Sequence, residues 1–71
     1  MKLSKLLNNM FVGERLFIKY ENTYHPFYTG SAGYFRENPE LMQKYKDETI
    51  YRITSVDGGI AIILNERRER T

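Results

Sequence analysis

Seventy-one residues with a formal net charge of +2 leave room for one domain, read here as positions 1–71, with a small core. The absence of cysteine excludes disulfides and thiolate metal sites and fits a cytoplasmic protein. The longest apolar run, Ile60 to Leu64, is far shorter than the ~18–20 residues of a spanning helix, so no membrane role is expected.

Leu3, Leu6, Leu7 and Met10 recur at helical spacing and predict a short amphipathic helix. Lys2 and the leucines after it resemble a signal peptide, but Asn8 and Asn9 interrupt them and no small-residue cleavage site follows. The segment is therefore read as mature protein. Gly13 ends the helix or opens the next turn. From Arg15 to Glu21, Leu16, Ile18 and Tyr20 alternate with Arg15, Lys19 and Glu21, which predicts a strand; Phe17 interrupts its polar face. Glu21-Asn22-Thr23 reads as a turn and Tyr24 to Thr29 as a second strand. Pro26 cannot donate to a ladder, so that strand is expected at an edge or bulged.

Gly30-Ser31-Ala32-Gly33 reads as a turn-prone connection. Asn38-Pro39-Glu40 is a strong helix start, with Asn as cap, Pro at the first helical position and Glu at the positive dipole end. Leu41, Met42 and Tyr45 give that helix a buried face, ending near Lys46. Thr49 to Val56 predicts a third strand, Asp57-Gly58-Gly59 a hairpin turn, and Ile60 to Asn65 a fourth strand. The continuous apolar character of the fourth strand points to a central place. A charged tail, Glu66 to Thr71, follows. The order α-β-β-α-β-β predicts an α+β fold: a small antiparallel four-stranded sheet, a short N-terminal helix on one face and a connecting helix.

No catalytic constellation is visible. His25 is the only histidine, and no three potential ligands share metal-binding spacing, so neither a metal nor a cofactor is expected. Ser4, Ser31 and Ser55 are the only serines, and none lies in a Gly-x-Ser-x-Gly elbow. Gly30-Ser31-Ala32-Gly33 lacks the lysine of a phosphate loop. It shares the Gly-x-x-Gly spacing of KH domains, but a strand-to-helix connection is the simpler reading. The carboxylates are scattered. The expectation is a protein that is not an enzyme.

Six Tyr and four Phe are too many aromatics for so small a core to hold entirely. Tyr24, Phe27, Tyr28, Tyr34 and Phe35 cluster around the second strand and its exit, and are the contact candidates for a protein partner or a second copy. The leading expectation is a non-enzymatic protein-binding accessory domain acting through this aromatic edge surface. The alternative is a weak nucleic-acid-binding domain in which the same aromatics, the tyrosines above all, stack bases beside Lys19, Arg36 and Arg52, with Arg15 nearby and Arg67, Arg68 and Arg70 in the tail. Glu14, Glu21, Glu37 and Glu48 dilute that positive field.

The opening Met1-Lys2-Leu3-Ser4 with Leu6-Leu7, the Thr29-Gly30-Ser31-Ala32 segment and the Asp57-Gly58-Gly59 hairpin before an Ile/Leu strand resemble small uncharacterised phage and prophage proteins of Gram-positive bacteria. The resemblance implies a cytoplasmic protein of an infected or lysogenic cell and brings no site residues.

Overall fold

The structure, a computed structural model, describes residues 1–66. Its elements are α1 (Leu3–Asn8), β1 (Arg15–Tyr20), β2 (Tyr28–Ser31), α2 (Ala32–Glu37), α3 (Pro39–Tyr45), β3 (Ile50–Val56) and β4 (Gly59–Leu64). The α+β class and the four strands follow the sequence expectation. The charged tail beyond Glu66, with Arg67, Arg68 and Arg70, lies outside the described residues.

The sheet runs β2-β1-β4-β3. β1 pairs antiparallel with β2, and β3 antiparallel with β4. The central pair, β1 with β4, is parallel, from Leu16 opposite Ile60 to Tyr20 opposite Leu64. This corrects the expectation of an antiparallel sheet. After β2 the chain crosses the sheet through α2 and α3, descends along the far edge as β3, and turns back as β4 into the gap beside β1. The apolar run of β4 fits that central place.

The first two helices begin on backbone borrowed from elsewhere. The N-cap residue of α1, Lys2, makes no side-chain cap bond. Instead Leu3 and Ser4 donate their N–H groups to the carbonyls of Glu48 and Lys46, at 2.9 and 3.1 Å. These bonds satisfy donors that a helix start otherwise leaves free. At α2, Ala32 and Gly33 donate to Glu14 and Val12 at 2.8 and 2.9 Å, and the Ser31 hydroxyl accepts from the Tyr34 N–H at 3.1 Å. The sequence reading treated this segment as a connection. A Cβ on Gly33 would sit 3.1 Å from the Val12 carbonyl, so the glycine that weakens the local helix signal is what lets the Val12–Glu14 loop reach it. Asn38 separates α2 from α3: it is extended (ψ 106°), as a residue before proline prefers, and its Oδ1 accepts from the Leu41 N–H at 3.1 Å.

The core lies between the helices and one sheet face. Leu3 and Leu7 of α1 and Ala32 and Phe35 of α2 pack on Leu16, Ile18, Tyr20, Ile62 and Leu64. Leu41, Met42 and Tyr45 of α3 pack against its margin. β2 occupies one edge, one of the two places expected for it, but runs from Tyr28 to Ser31 rather than Tyr24 to Thr29, so Pro26 precedes the strand. At the other end of the sheet the Asp57-Gly58 turn places Gly58 at φ 86°, where other residues are strained. A Cβ on the next residue, Gly59, would collide with the Arg15 carbonyl, so glycine there lets β4 enter beside β1. No described helix is long and apolar enough to cross a membrane.

Candidate functional site

Successive strand residues point to opposite faces. On β1, Leu16, Ile18 and Tyr20 turn to the helices, so Arg15, Phe17 and Lys19 turn away from them. Paired residues share a face, and the register extends this second surface across the sheet. Arg15 pairs with Ser31, Phe17 with Thr29 and Ala61, and Lys19 with Ile63. On β3 the pairing shifts between Ile50 and Arg52, which leaves Tyr51 as an extra residue beside Arg52, opposite Ile63. Thr54 lies opposite Ala61.

The result is an open face with an apolar middle (Phe17, Ala61 and Ile63) and a basic margin. Its strand positions include Arg15, Lys19 and Arg52 and no Asp or Glu. Carboxylates begin just outside the strands, at Glu14, Glu21 and Asp57. The Arg15 guanidinium lies 5.6 Å from the centre of the Phe17 ring, and that of Arg52 lies 5.9 Å from the Tyr51 ring. Such cation–π pairs hold planar groups of both kinds at a sheet surface. The Lys19 ammonium donates to the Thr23 carbonyl at 2.7 Å, which ties it to the β1–β2 loop. Flat rings beside fixed cations suit a ligand that carries both planar groups and negative charge.

The five aromatics expected to form one contact surface do not do so. Phe35 is fully buried and belongs to the core. Tyr28 meets its ring edge-on at 4.9 Å, and Phe27 stacks on Tyr45 at 4.4 Å. Tyr28 and Phe35 meet where α2 packs beside β2, and Phe27, just before β2, lies between Tyr20 and Tyr45. Only Tyr24, 95% exposed beside His25 in the β1–β2 loop, and Tyr34, 63% exposed on α2, stand in solvent.

The nucleic-acid candidates also divide. Lys19 and Arg52 share the open face. Arg36 sits on α2, half-buried, and donates to the Met10 carbonyl at 3.2 Å. It therefore fastens the segment that follows α1 rather than joining the other cations. Phe17 and Tyr51 were not picked out from the sequence as partners of the cations. The available signal was Phe17 itself, an apolar residue at a polar position between Arg15 and Lys19.

Burial raises the pKa of the Tyr28 hydroxyl, and the neighbouring Tyr34 adds to the shift. The same hydroxyl donates to the Ser31 carbonyl at 2.7 Å. A phenol harder to ionise when folded contributes stability that is fully present below its unfolded pKa of about 10 and lost as pH rises through the folded value. Tyr28→Phe is therefore expected to flatten the alkaline fall in stability. Urea midpoints between about pH 8 and pH 11 measure this, and parallel curves for the two proteins would exclude it.

No group of three or more potential metal ligands occurs among the described residues. No protein-family model, curated protein or solved structure matches the chain. The resemblance to phage proteins thus rests on the residues quoted for it.

Proposed function

We propose that the chain is a non-enzymatic, cytoplasmic binding module that takes single-stranded nucleic acid on its open sheet face. The observation that carries this reading is the pair of arginine–aromatic stacks, Arg15 with Phe17 and Arg52 with Tyr51, on a face whose strand positions hold no carboxylate. Exposed bases stack on aromatic rings whatever their identity, and cations beside the rings neutralise the phosphates between them. Few cations are available, so binding is weak and sequence-tolerant.

Fluorescence anisotropy with labelled single-stranded DNA and RNA tests the proposal. Three phosphate contacts, from Arg15, Lys19 and Arg52, give a slope of about −2 for log affinity against log salt on a single strand. Absence of binding at low salt, or binding indifferent to salt, would exclude it. Equal affinity for a duplex would reduce the face to a general positive charge.

A protein-contact reading has one observation in its favour. Phe11 and Val12 are 74% and 53% exposed, and the Val12 carbonyl accepts from Gly33, next to exposed Tyr34. Phe11 and Val12 are thus exposed apolar side chains in the loop that meets the start of α2. A partner retained from lysate after nuclease treatment and lost on Phe11→Ser would favour this surface.

A further inference from the structure

Lys19 and Arg52 stand in one row across the sheet. Both pair with Ile63 on the strand between them, so the three residues share the open face at one height. The backbones of Lys19 and Arg52 are two strand spacings apart, about 10 Å. β1 stops one residue beyond Lys19, at Tyr20, and the β1–β2 loop begins there. The Thr23 hydroxyl fastens that loop, donating to the Tyr20 carbonyl at 3.0 Å and accepting from the Tyr20 N–H at 3.2 Å.

Lys19 joins the row to the loop through its bond to the Thr23 carbonyl, at 2.7 Å. An ammonium has three donors, so two remain for phosphate oxygens. Two such bonds in series put a phosphate on Lys19 within about 5.5 Å of the Thr23 carbonyl. Tyr24 follows directly. It is 95% exposed, and its ring centre lies 6.4 Å from that of His25, which leaves room for a base. Glu21, exposed at the start of the loop, repels a further phosphate, so the hold beyond Lys19 comes from the ring rather than from charge.

We propose that a single nucleic-acid strand crosses the sheet along the row from Arg52 to Lys19 and stacks a base on Tyr24 where it leaves. The path then has a ring at each end, Tyr51 beside Arg52 and Tyr24 beyond Lys19, with the cations between. This inference rests on the open-face reading and adds to it a direction and a residue outside the sheet.

The chain contains no tryptophan, so Tyr24→Trp supplies a single reporter at an exposed position. The probe is a single-stranded oligothymidylate of about eight nucleotides at low salt. Its binding is expected to quench the emission of Tyr24→Trp and to leave that of Tyr34→Trp, on α2, unchanged. By anisotropy, Tyr24→Ala is expected to bind the oligothymidylate at least about fivefold more weakly, with the salt slope unchanged. Native binding with no quenching at Tyr24→Trp and no loss in Tyr24→Ala overturns the path and leaves the open face as the site. Equal quenching of the two reporters also overturns it. A native protein that does not bind the oligothymidylate overturns both the path and the open-face reading.

Discussion

Replacing Phe35 by alanine is expected to remove a large share of the protein's stability. The ring is fully buried, meets Tyr28 edge-on, and sits among Leu3, Leu7 and the inner residues of β1 and β4. Removing a buried phenylalanine costs about 3–5 kcal/mol, part of it lost transfer energy and part the cavity left behind. A chain of this size has roughly 4–10 kcal/mol of stability in total. Thermal denaturation should show a midpoint lowered by well over about 10 °C. Tyr34→Ala, on the next-door but exposed side chain, is expected to stay within about 0.5 kcal/mol of native. A Phe35→Ala midpoint close to native would mean that α2 does not close the core. The comparison also bears on function, because any loss of binding in Phe35→Ala reflects unfolding rather than a missing contact.

The second large effect is expected on the open face, where charge and stacking can be removed separately. Arg15 and Arg52 are exposed, so Arg15→Ser combined with Arg52→Ser leaves the core intact. That double variant is expected to lower the salt slope on single strands by about 1.4 and to weaken binding most at low salt. Tyr51 is also exposed. Tyr51→Ala is expected to cost about 1–3 kcal/mol, roughly 5- to 150-fold in affinity, with the salt slope unchanged. Two variants that weaken binding along different axes identify a surface that both stacks and neutralises. If the arginine variant alone has an effect, the rings are bystanders; if neither does, the ligand binds elsewhere.

The features legible in the sequence were local ones. The spacing of Leu3, Leu6, Leu7 and Met10 marked α1, Asn38-Pro39 marked the start of α3, and Asp57-Gly58 marked the β3–β4 turn. Pro26 pointed to an edge or a bulge in the second strand, which does lie at an edge but begins only at Tyr28. What escaped was set by distant contacts. The parallel pairing of β1 with β4 joins residues from opposite ends of the chain, and no short pattern records it. α2 begins against carbonyls of the Val12–Glu14 loop, so its glycine read as a break. The candidate site divides in the same way. Lys19 and Arg52 were visible as cations, but only the topology shows that they share an uncovered face and that Arg36 does not. Aromatic content could not separate Phe35, which the core encloses, from Tyr24, which it leaves in solvent.

The place of β4 in the sheet has a consequence for how the chain acquires its structure during synthesis. The strand that fills the centre of the sheet is the last of the described elements to leave the ribosome. Until it arrives, β1 and β2 are a lone two-stranded ribbon, marginal in water, and the inner faces of α1 and α2 have only half a sheet to cover. Leu16 must wait for Ile60 before its own side of the ladder is complete. The nascent chain therefore emerges with its leucines and Phe35 uncovered, and folding is expected to be a single late event rather than a stepwise one.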